Sequence, residues 1–328
     1  MAIESIDCFN HCLPPTYVEV CRRYMTESLV MFERAVGIPG MSDLNQRIQI
    51  LDRFPGYRQI LSIASPSPEA IAGPEDSPEL ASIGNNALAE WRDLHPDRFP
   101  GFIATLPMNN PDASLVEVKR AVEELGALGV QIYTHVNGQP LDQPQFMPLF
   151  EYMAKNEKPI WLHPLRPSSR PDYENESISK YDLWWAFGWP HETSVCAGRL
   201  VFAGIFDKWP ELKIITHHAG GTIPMLEGRL NGGLDSLGNR YAPEHAYAAE
   251  TDLQEKPIKA FRRFYADTAT FGSRIGIDAG LAFFGEEQTV FATDFPFSGI
   301  EENLQAAEGL GEAVLSGNIE RIAGLNGK

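Results

Sequence analysis

The chain has 328 residues, 43% of them hydrophobic, and a formal net charge of −17 at pH 7. That balance excludes a nucleic-acid-binding surface, because neutralising phosphates takes clustered Lys and Arg; an anionic small molecule held by the local field of a pocket stays compatible with it. No apolar run is long enough to span a bilayer, and the four cysteines (Cys8, Cys12, Cys21, Cys196) form no paired framework. The start of the chain carries an acid at Glu4 and no apolar stretch of the kind a secretory signal needs. A soluble, cytoplasmic protein without disulfides is the expectation.

Residues 3–10 read as the first strand; Asp7, Phe9 and His11 share one face and Ile6, Cys8 and Asn10 the other, since side chains alternate along a strand. An irregular insertion is expected from about 14 to 56, punctuated by Gly37, Pro39 and Gly40, with one short helix over 43–51 capped by Ser42. A second strand covers 57–64, and a helix over 78–94 places Leu80, Ile83, Leu88 and Trp91 at helical spacing. Strand 99–106 and helix 113–125 follow, then strand 129–133 and helix 145–156. The fifth strand, 159–163, is an apolar run stopped by Pro164. A polar loop over 166–179 leads to an aromatic patch of Tyr181, Trp184, Trp185, Phe187 and Trp189 and a helix ending near 202–206. Strand 212–218, a helix over 220–230 opened by Gly220-Gly221, strand 264–268, strand 289–294 and short helices complete the chain. Strands alternating with helices at this spacing make a parallel sheet, and eight such units predict a single (β/α)8 TIM barrel spanning residues 1–328.

Several strands end on a polar residue able to bind metal or move protons: His11, His163, His218 and Asp294. The C-terminal ends of parallel strands are where such folds carry out chemistry. Two or three imidazoles and a carboxylate suit a catalytic divalent ion with an open position, zinc first and manganese as the substitute. Taking Ile214, Thr216 and His218 as the inward face puts His217 on the opposite face, as a supporting residue. Cys8 reads as outward-facing packing.

The motifs that carry these residues resemble a known family. Ile6-Asp7-Cys8-Phe9-Asn10-His11-Cys12-Leu13-Pro14, Gly129-Val130-Gln131-Ile132-Tyr133-Thr134-His135-Val136-Asn137, Trp161-Leu162-His163-Pro164, His218-Ala219-Gly220-Gly221 and Ala292-Thr293-Asp294-Phe295-Pro296-Phe297 are similar, in order and over nearly the whole chain, to the aminocarboxymuconate semialdehyde decarboxylase branch of the amidohydrolase superfamily. The resemblance implies one divalent metal, with His11, His163 and Asp294 at ligand positions and His218 at the catalytic histidine. It implies that Trp185 lines the substrate pocket and that Arg240 reaches a substrate carboxylate across a homodimer interface. It also exposes a departure. The family's first strand carries a His or Glu donor where this chain has Phe9, counted here among the residues lining the substrate. Three outcomes stay open: a weakened site, recruitment of His218 or another group as a ligand, or loss of the metal. A retained but altered site is the favoured one.

The implied activity is non-oxidative decarboxylation of a small unsaturated or aromatic carboxylic acid. His218 serves as general acid–base, Asp294 as ligand and acceptor, and Arg166, Arg170 and Arg240 are candidates to bind the carboxylate. The same residues suit a hydrolase or hydratase of that superfamily, and a catalytically degenerate ligand-binding barrel is the third alternative.

Overall fold

Strands covered on both faces read as nearly continuous apolar runs, and Gly129–Tyr133 and Ile160–His163 are buried at every position. The computed structural model describes residues 4–25, 30–234 and 242–325. Eight strands pair in chain order into one curled, all-parallel sheet. They are β1 (Ser5–Asp7), β2 (Tyr57–Leu61), β3 (Gly101–Thr105), β4 (Gly129–Tyr133), β5 (Ile160–His163), β6 (Ile214–Thr216), β7 (Tyr265–Asp267) and β8 (Thr289–Val290). Beyond the paired residues, backbone hydrogen bonds link the two edges: Cys8 N to Phe291 O, Asp294 N to Phe9 O and His11 N to Phe295 O. The β4–β5 register sets Tyr133 beside His163. It requires glycine at 129, where a Cβ would meet the Pro159 carbonyl oxygen at 2.1 Å.

The sheet's two faces bury separate apolar clusters. Leu61, Phe102, Val130, Ile132, Leu162 and Ile214 pack on the helices. Ile6, Cys8, Phe9, Ile60, Ile103, Trp161, Ile215, Val290 and Ala292 fill the concave side together with Ile319 and Ile322 of helix Asn318–Ala323. Fully burying one such aliphatic or aromatic side chain is worth about 1.5–3 kcal/mol, so the small inner cluster is enough to hold the strand ends in register.

This division corrects two parity readings. Cys8 lies on the concave side with Ile6, whereas Asp7 turns away and accepts from Tyr57 Oη and from Thr293 Oγ1 and N. On β6 the inward residue is Ile215, and Ile214 packs outward. A strand buried on both sides carries no hydropathy alternation, so its facing is invisible in sequence.

The stretch expected to be irregular holds three helices, Pro15–Tyr24, Val30–Val36 and Leu44–Leu51. The last is capped by the Asp43 side chain, which accepts from Gln46 N, and not by Ser42. Conversely, the helix expected over 220–230 begins only at Pro224, because Gly220 and Gly221 adopt positive φ; from there a 3-10 turn (Pro224–Leu226) leads into a π-helical segment (Arg229–Gly233). No helix among the described residues is long and apolar enough to cross a membrane.

One buried cation fastens the end of β1. Arg47 is fully buried and donates to Gln59 Oε1, the His11 and Gly40 carbonyls and Asn10 Oδ1, with its guanidinium 4.9 Å from the Phe295 ring centroid. Its hydrogen-bond partners are all neutral, so no carboxylate pairs with it directly. Arg47→Met should strand several buried acceptors and lower stability by about 2–4 kcal/mol, read as a shift in the urea midpoint with unchanged m value.

Candidate active site

Four histidines and one aspartate meet at the C-terminal end of the sheet. His11 follows β1, His163 ends β5, and His217 follows β6 in extended backbone (φ −79°, ψ 154°) on the inward parity of Ile215. His218 reaches the same place by another route. It and Ala219 have φ of 56° and 53°, a left-handed reversal that turns its ring back onto that of His217, 3.8 Å away between centroids. Asp294 also has positive φ, 63°. Side-chain-bearing residues are strained in this region, and such strain clusters where function requires it.

The predicted quartet of His11, His163, His218 and Asp294 is therefore brought together, with His217 as the member that sequence reasoning set aside. Candidate donor atoms of His11, His163 and His217 lie within 4.8 Å of one another, as do those of His217, His218 and Asp294. His11 Nε2 is 3.2 Å and His217 Nε2 is 3.5 Å from Asp294 Oδ1.

Each imidazole is oriented through its other nitrogen. His163 Nδ1 bonds the Pro164 carbonyl at 2.7 Å and His218 Nδ1 the Ala269 carbonyl at 2.8 Å. His217 Nδ1 donates to Asp267, whose other oxygen accepts from Ala219 N and Ala269 N. Ser62 Oγ gives its hydrogen to the Asn10 carbonyl and so accepts from His11 Nδ1 at 3.1 Å. With Nδ1 carrying the proton, the Nε2 lone pairs converge. His11 Nε2 and His217 Nε2 are buried without a hydrogen-bond partner. Buried polar atoms are rarely left so, and imidazoles held from behind by carbonyls or a carboxylate are the arrangement that metal ligands adopt. The donor set fits a divalent ion.

In the metal-free protein three of the four imidazoles are held neutral and His217 alone keeps a second proton. Burial lowers the pKa of His11, drives that of His163 well down and takes that of His218 to about 4, with the neighbouring imidazoles adding to the shift of the last two. Burial acts on His217 in the same direction, but Asp267 and Asp294 outweigh it and raise its pKa to about 9. Burial alone would lift the Asp294 carboxyl; the His11 and His217 imidazoles that face it hold it below the ordinary carboxylate range instead.

Aromatic rings frame the centre. Phe9 lies 4.0 Å from His217 between ring centroids, and Trp189 and Tyr133 stand at 5.3 and 5.1 Å from His163. Trp185 is half-buried and packs on Phe271, which in turn lies 6.0 Å from His218. Arg166 is tied to Glu192 and to the Pro171 carbonyl, and Arg170 also pairs with Glu192. Arg170 and Glu192 line a neighbouring cavity of about 620 Å³, whose wall also includes His135 and Arg199 but neither Arg166 nor any of the five polar residues above. Arg240 lies outside the described residues. Asp267 and Phe271 escape the sequence reading, which has His217 as a supporting residue and Trp189 as part of the aromatic patch. Asp267 ends a strand like the others, and that signal was available.

The fold and the strand-end centre define an amidohydrolase-type enzyme site, and comparison with known proteins agrees. The chain belongs to the Amidohydrolase family, whose model matches residues 7–326. It is 30% identical over 296 residues to the 2-amino-3-carboxymuconate-6-semialdehyde decarboxylase of Dictyostelium discoideum, covering 87% of this chain and 77% of that protein. It is 32% identical over 301 residues to the gamma-resorcylate decarboxylase of a Polaromonas species, covering 86% and 87%. The crystal structure of a dihydroxybenzoic acid decarboxylase from Polaromonas, with bound manganese and the inhibitor 2-nitroresorcinol, superposes with a TM-score of 0.81 at 25% identity over 99% of this chain and 98% of that one.

In metal-free protein, His217 should titrate near pH 9 and His218 near pH 4 by histidine NMR. A raised folded-state pKa means that the His217 contribution to stability is complete below its unfolded value, near 6.5, and fades as pH rises through about 9. The wild-type advantage over His217→Gln in metal-free denaturation should shrink across that window.

Proposed function

We propose that this protein is a metal-dependent, non-oxidative decarboxylase of a small aromatic or unsaturated carboxylic acid. The reading rests on one observation: buried imidazole lone pairs, oriented from behind, converge with a carboxylate at the open end of the sheet. The names of the relatives support the reaction class. His11, His163 and Asp294 are the donors carried over from the family pattern. A manganese ion in the related structure supports that metal, and the nitrogen-rich donor set suits zinc equally. The edge-to-edge backbone hydrogen bonds support closure of the sheet into a (β/α)8 barrel. Family resemblance supports a single domain, a cytoplasmic homodimer, and Arg240 as a carboxylate contact.

When bound, the ion supplies Lewis-acid charge that anchors an acidic substrate. The protein's own residues do the rest. Trp185 and Phe271 offer aromatic surface against which a planar substrate stacks. His218, with Nδ1 held by the Ala269 carbonyl, presents Nε2 as the proton carrier. It takes a proton from the substrate acid or solvent and gives it to the ring carbon that bears the carboxylate. The carbon–carbon bond then breaks, its electron pair stays with the ring and carbon dioxide leaves. Its low proton affinity (pKa about 4) makes it a strong donor once charged.

Metal-loaded protein challenged with hydroxybenzoates and carboxymuconate-type acids should release carbon dioxide stoichiometrically with product. Turnover without carbon dioxide would favour a hydrolase or hydratase. His163→Ala should remove both metal and turnover, while His218→Asn should keep metal and lower kcat by about 10²–10⁴-fold.

A further inference from the structure

The donor set has a gap and a surplus. Phe9 stands where the first strand offers no lone pair, and His217 brings an imidazole that the sequence pattern did not count. We propose that His217 is a metal ligand, replacing on the sixth strand the donor that position 9 lacks on the first. The inference rests on the metal-site reading above and assigns its composition: His11, His163 and His217 through Nε2, with Asp294 completing the set.

Position carries the argument. His217 is fully buried, and its Nε2 is unpartnered. It is the residue common to both groups of convergent donors, lying within 4.8 Å of His11 and His163 in one and of His218 and Asp294 in the other. The ring centroids of His11, His163 and His217 form a triangle with sides of 5.1, 5.3 and 5.9 Å. Rings at such separations can turn three nitrogens onto a single ion, whereas His218 lies stacked behind His217 and is less buried.

Two neighbours fix the ring for this task. Asp267 accepts from Nδ1 and is itself held by two backbone amides. A carboxylate behind an imidazole fixes the tautomer and strengthens the opposite nitrogen as a donor. Phe9 packs its ring on that of His217, tilted by 31° at 4.0 Å. It fills the space a first-strand ligand would need and braces the replacement. A phenylalanine there is thus paired with a histidine at 217, and the two positions should exchange roles.

Metal-stripped wild type and variants are titrated with Zn²⁺ and Mn²⁺ by chelator competition, and zinc-loaded proteins are examined by X-ray absorption to count imidazoles. His217→Gln keeps a hydrogen-bond donor toward Asp267 but should weaken metal binding more than the roughly 10–100-fold typical of an outer partner. Adding Phe9→His to that variant should recover most of the lost affinity. Wild type and His218→Ala should both show three imidazoles, so the count decides even if His217→Gln fails to fold. Wild-type affinity in a folded His217→Gln, or two imidazoles in wild type, overturns the proposal. Loss of metal in His163→Ala with retention in His217→Gln sinks this inference alone; no binding of either ion by wild type sinks the metal-site reading as well.

Discussion

A carboxylate oxygen faced by two buried imidazole nitrogens is the constraint that governs this molecule. Asp294 Oδ1 lies 3.2 Å from His11 Nε2 and 3.5 Å from His217 Nε2. Lone pairs brought that close, away from water, repel unless a positive charge sits among them. In metal-free protein the raised proton affinity of His217 provides it; a divalent ion provides it better, because it also satisfies His11. The proton and the metal thus compete for one place, and metal binding releases protons as ligands of this type generally do.

Such a centre stays assembled only if the backbone beneath it cannot relax, and three devices prevent that. Asp7 clamps the first strand to the last by accepting from Thr293 twice. Arg47 collects the carbonyls around His11. Left-handed backbone at His218, Ala219 and Asp294 holds ring and carboxylate in directions that ordinary strand geometry does not reach. Strain of this sort costs on the order of 1–3 kcal/mol per residue, which the packed concave cluster directly below offsets.

Arg166 shows how little an arginine's proximity in sequence says about its role. Arg166 follows His163 by only three residues, yet its guanidinium is spent on Glu192 and a carbonyl. Its alkyl stem packs on Gly188, where a Cβ would meet Cδ at 2.4 Å. It supports the first turn of helix Gly188–Phe202, which carries Trp189; the Trp189 indole donates to the Arg166 carbonyl and its ring edges His163. Through its backbone carbonyl the residue thus anchors a tryptophan that stands against His163.

Much of this was legible in the chain alone. Strand and helix alternation, the parallel sheet in chain order, and the strand-end placement of His11, His163 and Asp294 follow from local pattern, because a short apolar run ending in a polar residue has one sensible reading. The helices Pro15–Tyr24 and Val30–Val36 were not read from the chain, because at ten and seven residues they are too short to show a clear helical periodicity. Facing was not legible at all on the sixth strand. Leu212 to Ile215 is apolar nearly throughout, and a strand buried on both sides leaves no alternation from which to assign His217 or His218. Only the tertiary structure decided that: the curl of the sheet set Ile215 and His217 inward, and a left-handed turn then returned His218 to the same centre. Sequence determines which donors exist; the closeness of chain segments far apart determines which of them share an ion.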